Sequence, residues 1–284
     1  MNIECIADTA CDCGEGPLWH PAEGCVYWTD IPKGRLFRYN PQTGAHACVM
    51  QDRPIGGYTL QADGSLLLFR DRGNVVVWRD GQVVKTIIDE IPEHHKTRFN
   101  DVYANHLGGV YCGTMHGHLC YLAPDGKLSL LRDGYGTPNG MGFSPDNKHL
   151  YYNDSGLGKT FRWDYDIATG VLTNDIVLRD AKANADPGAP DGMCVDSEGF
   201  IWTARWDGHS LLRHNPADGS VVMKLDFPVK KVTSVCFGGD ALDTMYVSTA
   251  GAWDRANDPQ AGAFFRVTDS GFKGLDRPVS RICF

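Results

Sequence analysis

The chain has 284 residues and a formal charge of -8 at pH 7, with acidic and basic residues mixed along its length. A nucleic-acid surface needs a basic stripe, so this composition argues against nucleic acid as a partner. No apolar run approaches the roughly 18 residues that span a bilayer, and the first residues lack the features of a signal peptide. We therefore expect a cytoplasmic protein with no membrane partner. All-β folds of this size commonly form one unit, so a single domain over residues 1–284 is predicted.

Ten cysteines are spread along the chain, and most of them stand alone inside strand-like runs. A free cysteine behaves as a small buried hydrophobic side chain, so we expect mostly unpaired thiols. Cys11 and Cys13 have no second cysteine pair at zinc-finger spacing, which argues against a structural zinc site. Cys5 and Cys283 lie near the two ends, which meet if the fold closes on itself. A disulfide between them is therefore a hypothesis.

Short β-rich runs separated by turn residues recur along the chain. Their starts lie roughly 40 to 50 residues apart, which is the repeat of a four-stranded propeller blade. No long segment shows the 3.6-residue periodicity of an amphipathic helix. The pattern predicts an all-β fold, a six-bladed β-propeller with four-stranded antiparallel blades around a central channel. The runs begin at Val26, Leu66, Val110, Leu150, Ile201 and Met245.

Oxygen-bearing side chains recur in four short segments, which we interpret as tight turns. Glycine lets the backbone bend sharply and proline fixes φ, so such a turn can aim one carboxylate or amide at a point in space. Converging oxygens bind divalent cations such as Ca²⁺, Mg²⁺ or Mn²⁺, and Zn²⁺ also accepts carboxylates, so the ion is not identified. The segments are residues 14–17, 98–101, 138–141 and 190–193.

These segments recur with the period of the strand-like runs and take corresponding places in successive repeats. Gly57 and Ser234 are assigned the equivalent place in the remaining two repeats. In a propeller the innermost strands ring a central channel, so side chains at equivalent points converge on its axis. Residues distant in sequence are therefore predicted to form one site. They are Glu15, Asn100, Asn139 and Asp191.

Motifs that run over nearly the whole chain are found at residues 14–19, 98–101, 113–115, 138–144, 191–196, 202–204 and 236–239. In this order and spacing they resemble the SMP-30/gluconolactonase/luciferin-regenerating-enzyme family of six-bladed propellers. The resemblance implies a hydrolase that opens the lactone ring of a sugar acid. It also implies that Glu15, Asn139 and Asp191 are ligands of one divalent ion in the channel, which is Ca²⁺, Zn²⁺, Mg²⁺, Mn²⁺ or Fe²⁺.

The same resemblance implies that Arg98 and Asn100 position the substrate, with Asn100 near enough to reach the ion directly or through water. Asp101 and His116 complete the predicted substrate-binding set. Several sugar lactonases of the family have a longer insertion with an acidic residue after a Gly-Thr-Met motif, whereas here Met115 leads directly into His116. We therefore expect a shorter or rebuilt pocket wall on that side, and a specificity that is not carried over intact.

The implied chemistry is hydrolysis of a cyclic ester. A divalent ion can polarise the lactone carbonyl and lower the pKa of a bound water, and Asp191 is the predicted general base because it lies beside both. Two alternatives stay open: a promiscuous metal-dependent organophosphate hydrolase and a non-enzymatic Ca²⁺-binding propeller. Arg98 argues against the latter, because a purely structural ion needs no cationic neighbour. The expected partner is a small sugar lactone, and the expected assembly is a monomer or small homo-oligomer.

Overall fold

The computed structural model describes residues 1–283 and contains six four-stranded antiparallel sheets arranged as the blades of a β-propeller. The six-bladed prediction is thereby confirmed. The only helix among these residues is a 3₁₀ turn at Pro92–His94, and no helix there is long and apolar enough to cross a bilayer. The strands in chain order are β1 Asn2–Ala7, β2 Gly14–His20, β3 Cys25–Asp30, β4 Arg35–Tyr39, β5 His46–Gln51, β6 Ile55–Leu60, β7 Leu66–Arg70, β8 Val75–Arg79, β9 Gln82–Ile88, β10 Phe99–Ala104, β11 Val110–Thr114, β12 Leu119–Leu122, β13 Leu128–Arg132, β14 Pro138–Phe143, β15 His149–Asp154, β16 Lys159–Tyr165, β17 Leu172–Asp180, β18 Ala189–Val195, β19 Ile201–Trp206, β20 Ser210–His214, β21 Val221–Asp226, β22 Lys231–Gly238, β23 Thr244–Ala250 and β24 Phe264–Thr268.

Blades 1 to 5 each use four consecutive strands, beginning with β2, β6, β10, β14 and β18. Blade 6 is formed by β22, β23 and β24, and its outer strand is β1 from the start of the chain. The first and last strands of the chain therefore share one sheet. This pairing closes the ring and covers the edge that β24 would otherwise expose.

Burial decreases from the channel outwards in each blade. Every residue of the innermost strands β14 and β22 is buried, whereas the outer strands β9 and β13 are mostly exposed. Apolar side chains from adjacent blades fill the space between sheets, as when Trp28 of blade 1 stacks on Phe264 of blade 6 at 4.1 Å. The core is thus a ring of interfaces between blades around the channel.

Every innermost strand has an irregularity in its pairing with the second strand of its blade. The register breaks between Pro138 and Met141 in β14, and between Pro190 and Met193 in β18. A β-bulge leaves residues unpaired and changes the direction of their side chains. The segments interpreted above as turns are therefore bulges within strands, and that interpretation is corrected.

The register also corrects the assignment of two equivalent positions. The unpaired residues that correspond to Asn139 in blades 2 and 6 are Gly56 and Thr233. The predicted Gly57 and Ser234 lie one residue later. Successive side chains of a strand point to opposite faces, so an error of one residue selects the wrong face.

Two glycines allow neighbouring innermost strands to approach each other closely. A Cβ atom added to Gly56 would lie 1.9 Å from the Phe99 carbonyl oxygen, and one on Gly140 would lie 2.3 Å from the Met193 nitrogen. No larger residue fits at such a backbone contact. Strands β14 and β18 consequently meet backbone to backbone, which brings Asn139 beside Asp191.

The cysteines of the described chain are all free, including Cys5 and Cys283, so the disulfide hypothesis is wrong. Cys5 lies on the outer strand of blade 6, whereas the Cys283 nitrogen donates to the Pro124 carbonyl of blade 3 at 2.7 Å. Blades 3 and 6 are opposite each other in a ring of six. The end of the chain crosses the propeller after β24 and so leaves the blade that holds Cys5.

Candidate active site

A cavity of about 700 Å³ opens at the end of the channel where the innermost strands begin. Its floor is polar and is formed by the residues at the bulges. The structure brings five of the seven predicted site residues into its lining, and these are Glu15, Arg98, Asn100, Asn139 and Asp191.

The two remaining predicted residues lie elsewhere. Asp101 faces a smaller space of about 30 Å³ deeper in the channel, next to Arg277. His116 lies in the exposed turn between β11 and β12 and is not part of the cavity lining, although the adjacent Met115 is. The short connection after Met115 therefore keeps His116 on the protein surface.

Buried aspartates at the ends of second strands hold the backbone that leads into the bulges. Asp154 accepts hydrogen bonds from the Gly136 and Thr137 nitrogens at 2.8 and 2.9 Å, and Asp30 accepts one from the Cys13 nitrogen at 3.0 Å. Thr137 and Cys13 each lie two residues before a predicted ligand. Because both aspartates are fully buried, these charge-assisted bonds fix the strand entrances in place.

Hydrogen bonds join the site residues across blades. Asn139 Nδ2 donates to the Ser155 hydroxyl at 2.9 Å and also to Asp191 Oδ1, while Asn139 Oδ1 accepts from the Gly140 nitrogen at 3.1 Å. On the other side, Arg98 Nη1 donates to Asn100 Oδ1 at 2.8 Å. These contacts orient the amides and hold the guanidinium at the edge of the cavity.

The carboxylates on the channel floor are poorly compensated. Glu15 and Asp191 are each 4% exposed, and neither forms an ion pair within 4.0 Å with any cationic group of residues 1–283. Burial raises the pKa of both carboxyl groups well above the ordinary range; repulsion from Asp191 and Asp101 adds to the effect on Glu15, and repulsion from Asp101 adds to the effect on Asp191. Burial also raises the pKa of Asp101 to about 6, against the opposing influence of Arg277 and Arg98. Burial lowers the pKa of Arg98.

This donor set fits a hard divalent cation. Two buried carboxylates without a cationic partner are costly, and a cation between them removes that cost by favouring their ionised forms. Within residues 1–283 no group of three or more His, Cys, Asp or Glu side chains has metal-binding geometry, so a third protein ligand would have to be of another type, such as an amide. Asn139 would supply its oxygen if the amide turned over, which would place Oδ1 where Nδ2 now faces Asp191.

Sequence reasoning missed several residues that line the cavity, among them Ser155 and Trp253. Ser155 accepts from Asn139 and donates to the Pro190 carbonyl oxygen at 2.7 Å, so it connects blades 4 and 5. Trp253 lies on the loop between β23 and β24 and is 65% exposed. Its position in a polar, glycine-containing segment was the available sequence signal, because such an exposed segment has no core for a tryptophan to fill. Trp206 also lines the cavity.

The fold and these motifs recur in known proteins. The family profile described as the SMP-30/gluconolactonase/LRE-like region matches residues 13–251. Pentonolactonase XacC of Haloferax volcanii is 43% identical over 282 residues, covering 94% of each chain, and human regucalcin is 30% identical over 293 residues, covering 97% of each.

Solved structures give the same result. A luciferin-regenerating enzyme superimposes with a TM-score of 0.89 at 27% identity and 99% coverage of each chain. The calcium-binding protein regucalcin of Agrobacterium tumefaciens superimposes with a TM-score of 0.88 at 25% identity, covering 98% of this chain and 97% of its own. The chain therefore belongs to the SMP-30/gluconolactonase/LRE-like family.

Proposed function

We propose that this protein is a divalent-metal-dependent hydrolase that opens the lactone ring of a sugar acid. The observation that carries the proposal is the convergence of Glu15, Asn139 and Asp191 with Arg98 on one open cavity. A pentonolactonase among the relatives supports a sugar lactone as substrate. A purely structural ion would need neither the large cavity nor the guanidinium beside it.

Glu15, Asn139 and Asp191 are the proposed ligands of the ion. When bound, the ion supplies Lewis acidity toward the lactone carbonyl and helps to ionise water. The family resemblance and the unpaired buried carboxylates support this assignment of ligands. They favour no one hard cation over another. Asn100 is held by Arg98 and by a hydrogen bond from its Nδ2 to the Pro138 carbonyl at 2.9 Å, so it stays beside the ligands rather than turning into solvent.

Asp191 is the proposed general base. Its carboxylate takes a proton from the water that attacks the carbonyl carbon, and the bond between that carbon and the ring oxygen then breaks. The proton taken by Asp191 then passes to the ring oxygen, which becomes a hydroxyl group, and the new carboxylic acid ionises and releases a proton. Because ligation favours the ionised form of Asp191, its effectiveness as a base comes from its position.

Arg98 and Asn100 are the proposed substrate-positioning residues. The planar guanidinium presents several donors, and only Nη1 is used by Asn100 and by the Phe99 carbonyl at 2.9 Å. The remaining donors can hold hydroxyl groups of the sugar. At the mouth, Met115, Trp206 and Trp253 form an apolar rim that suits the carbon face of a lactone ring.

The test is proton release from five- and six-membered aldonolactones. Protein stripped with a chelator is supplied with Ca²⁺, Mg²⁺, Mn²⁺, Zn²⁺ or Fe²⁺ one at a time, and initial rates are measured above the spontaneous hydrolysis of each lactone. We expect no turnover without metal and restored turnover with at least one ion. Comparison of the rates for all combinations of ion and lactone identifies the ion and the preferred ring size.

A Glu15→Gln variant tests the ligand assignment, because it keeps the side-chain shape and removes one charged group that is proposed to bind the ion. We expect it to need a higher metal concentration for half-maximal activity. Absence of turnover with every lactone and ion, while a metal still raises the melting temperature, would overturn the proposal and direct attention to phosphotriester substrates.

A further inference from the structure

The opposite end of the channel holds a second chamber. It has a volume of about 410 Å³ and is lined by residues after the bulges, including Leu18, Leu60 and Ala104. The candidate active site is lined by residues before or at the bulges, so the two spaces lie at opposite ends of the innermost strands. Between them is the space of about 30 Å³ beside Asp101, which holds about one water molecule. This intervening space is too small to hold a sugar acid.

The wall of this chamber is formed by the chain after β24, which we call the C-terminal strap (residues 270–283). The Gly274 nitrogen donates to the Leu242 carbonyl of blade 6 at 2.7 Å, and the Ser280 nitrogen donates to the Leu60 carbonyl of blade 2 at 2.9 Å. The strap is therefore fixed on both sides of the opening. Its residues 275–279 lie across the chamber between these anchors.

Arg277 of the strap is the one cationic side chain in the chamber lining. No carboxylate of residues 1–283 lies within 4.0 Å of its guanidinium. It contacts the ring face of Tyr103 at 4.7 Å, and its Nη1 lies 3.4 Å from the Pro17 carbonyl oxygen, a long hydrogen bond. Most of its donors are therefore unused, although the side chain is held in place by stacking.

A second residue with an unused donor borders the same region. Tyr58 is 4% exposed, lines both this chamber and the small channel space, and its hydroxyl has no hydrogen-bond partner within the described chain. A buried hydroxyl without a partner is costly. A ligand that accepts from both Tyr58 and Arg277 would remove that cost, and a carboxylate has the two oxygens needed.

The remaining lining limits the ligand class. Asp240 and Asp276 also border the chamber. Their carboxylates repel a dianion such as phosphate more strongly than they repel a monoanion. The same carboxylates accept hydrogen bonds from hydroxyl groups. Trp19 and Leu18 supply apolar surface for a short carbon chain. The volume lies within the range of small-molecule sites.

We propose that this chamber is a binding site for a small hydroxycarboxylate, with its carboxylate on Arg277 and Tyr58 and its hydroxyl groups toward Asp240 and Asp276. The class includes the aldonates that the proposed lactone hydrolysis releases, but the site itself does not depend on that reaction. An aldonate bound here is separated from the active site by the narrow channel.

The test uses isothermal titration of the full-length, metal-loaded protein with sodium gluconate. We expect two binding events in the wild type, because an aldonate can also occupy the active-site cavity. Arg277→Gln should weaken one event about tenfold or more, the loss expected for a charge-assisted hydrogen bond, and Tyr58→Phe should weaken the same event about threefold to tenfold. Arg98→Gln should affect only the other event.

Inorganic phosphate and the neutral polyol xylitol are titrated in parallel, and melting temperatures show that each variant is folded. Gluconate binding that is identical in wild type, Arg277→Gln and Tyr58→Phe would overturn the site. Phosphate binding that depends on Arg277 and is as tight as gluconate binding would overturn the ligand class. If lactones are not hydrolysed while the Arg277-dependent event persists, the proposed function fails and this inference stands.

Discussion

At the scale of single residues, the channel floor holds buried carboxylates that lack a compensating charge. Glu15 and Asp191 bury carboxylates without a cationic partner within ion-pair distance among residues 1–283. An unpaired buried charge destabilises a fold, and such groups are concentrated at functional sites. Their support comes from neutral neighbours, since Asn153 Nδ2 donates to the Asp191 carbonyl at 2.6 Å and Thr160 in turn donates to Asn153 Oδ1 at 2.7 Å. The backbone at Asp191 is therefore held independently of its carboxylate.

Asp191→Asn should separate catalysis from metal binding. The amide keeps an oxygen for the ion but cannot accept the proton from water, so we expect turnover to fall by about 10²- to 10⁴-fold. Metal affinity, measured by isothermal titration, should weaken yet remain detectable. Asp218→Asn, an exposed aspartate in a hairpin of the same blade, is the control and should keep full activity. Normal turnover in Asp191→Asn would rule out its role as a base.

At the scale of elements, the bulges of the innermost strands lie where polar side chains enter the cavity. Four innermost strands place a carboxylate or amide that lines the cavity at or beside the bulge, whereas the other two have Gly56 and Thr233 there. Thr233 donates to the Gly14 carbonyl at 2.6 Å, so its hydroxyl serves the contact between blades 6 and 1. The same backbone irregularity therefore lies at the proposed metal site in some blades and serves packing in others.

The loop between β23 and β24 forms one side of the cavity mouth. Trp253 on this loop contacts Trp206 edge to face, with ring centroids 5.8 Å apart, and the adjacent Asp254 is paired with Lys231. The loop is thereby tied to blade 6. Lys231 also lies 5.4 Å from the Trp206 ring centroid, which holds the second tryptophan in position.

Trp253→Ala should weaken substrate binding at the rim. An aromatic contact of this kind is worth about 0.5–1.5 kcal/mol, so we expect KM for the preferred lactone to rise about threefold to tenfold with little change in kcat. Trp253→Phe keeps the ring face and should retain most of the affinity. The melting temperature should not change, because the side chain is mostly exposed. An unaltered KM in Trp253→Ala would show that the rim does not contact substrate.

Strand β20 holds a buried neutral histidine. His214 Nε2 lies 3.0 Å from the Thr203 hydroxyl and Nδ1 lies 3.2 Å from the Gly219 carbonyl oxygen. Burial lowers the His214 pKa to about 4, with Arg205 and Arg179 acting in the same direction and the Gly219 contact and Asp186 opposing it. The folded state therefore binds this proton less readily than the unfolded state.

His214→Gln should flatten the acid side of the stability profile. The contribution of His214 is complete above pH 6.5, the value of a free histidine, and it is lost as the pH falls toward 4 because only the unfolded chain gains the proton. The loss amounts to roughly 3 kcal/mol. Urea unfolding at pH 7, 5.5 and 4.5 should show a smaller decrease in the variant than in the wild type. Equal decreases would mean that His214 does not titrate as described.

At the scale of the whole molecule, stability depends on closing the ring between the first and last blades. Phe264 of β24 stacks on Trp28 of β3, which stacks on Phe37 of β4 with ring centroids 5.1 Å apart. Trp19 stacks on Tyr246 across the same interface. Since β1 completes blade 6, this interface joins both ends of the chain to blade 1.

Phe264→Ala should destabilise the protein as a whole. Truncating a fully buried phenylalanine costs about 3–5 kcal/mol, because the stack between the blades loses its contacts and a cavity remains. Leu130→Ala on the outer strand β13 removes a side chain that is 56% exposed and should change stability by at most about 0.5 kcal/mol. Both values come from urea unfolding followed by tryptophan fluorescence. A small effect of Phe264→Ala would mean that ring closure does not depend on this stack.

The sequence by itself determined the repeat and the oxygen-bearing positions that meet in the cavity. Propeller blades are built from local hairpins, so their spacing appears directly in the chain, and residues at equivalent points of each repeat must meet at the axis. That reasoning was sufficient to bring Glu15, Asn100, Asn139 and Asp191 into one cavity. It also identified the family.

Only the tertiary structure decided the features that depend on register and on the course of the chain outside the repeat. A bulge and a turn have similar local composition, so pairing alone separates them, and the same pairing moved two equivalent positions by one residue to Gly56 and Thr233. The C-terminal strap follows no repeat. Its hydrogen bonds to other blades take Cys283 away from Cys5 and place Arg277 in the chamber, because contacts distant in sequence leave no periodic signal.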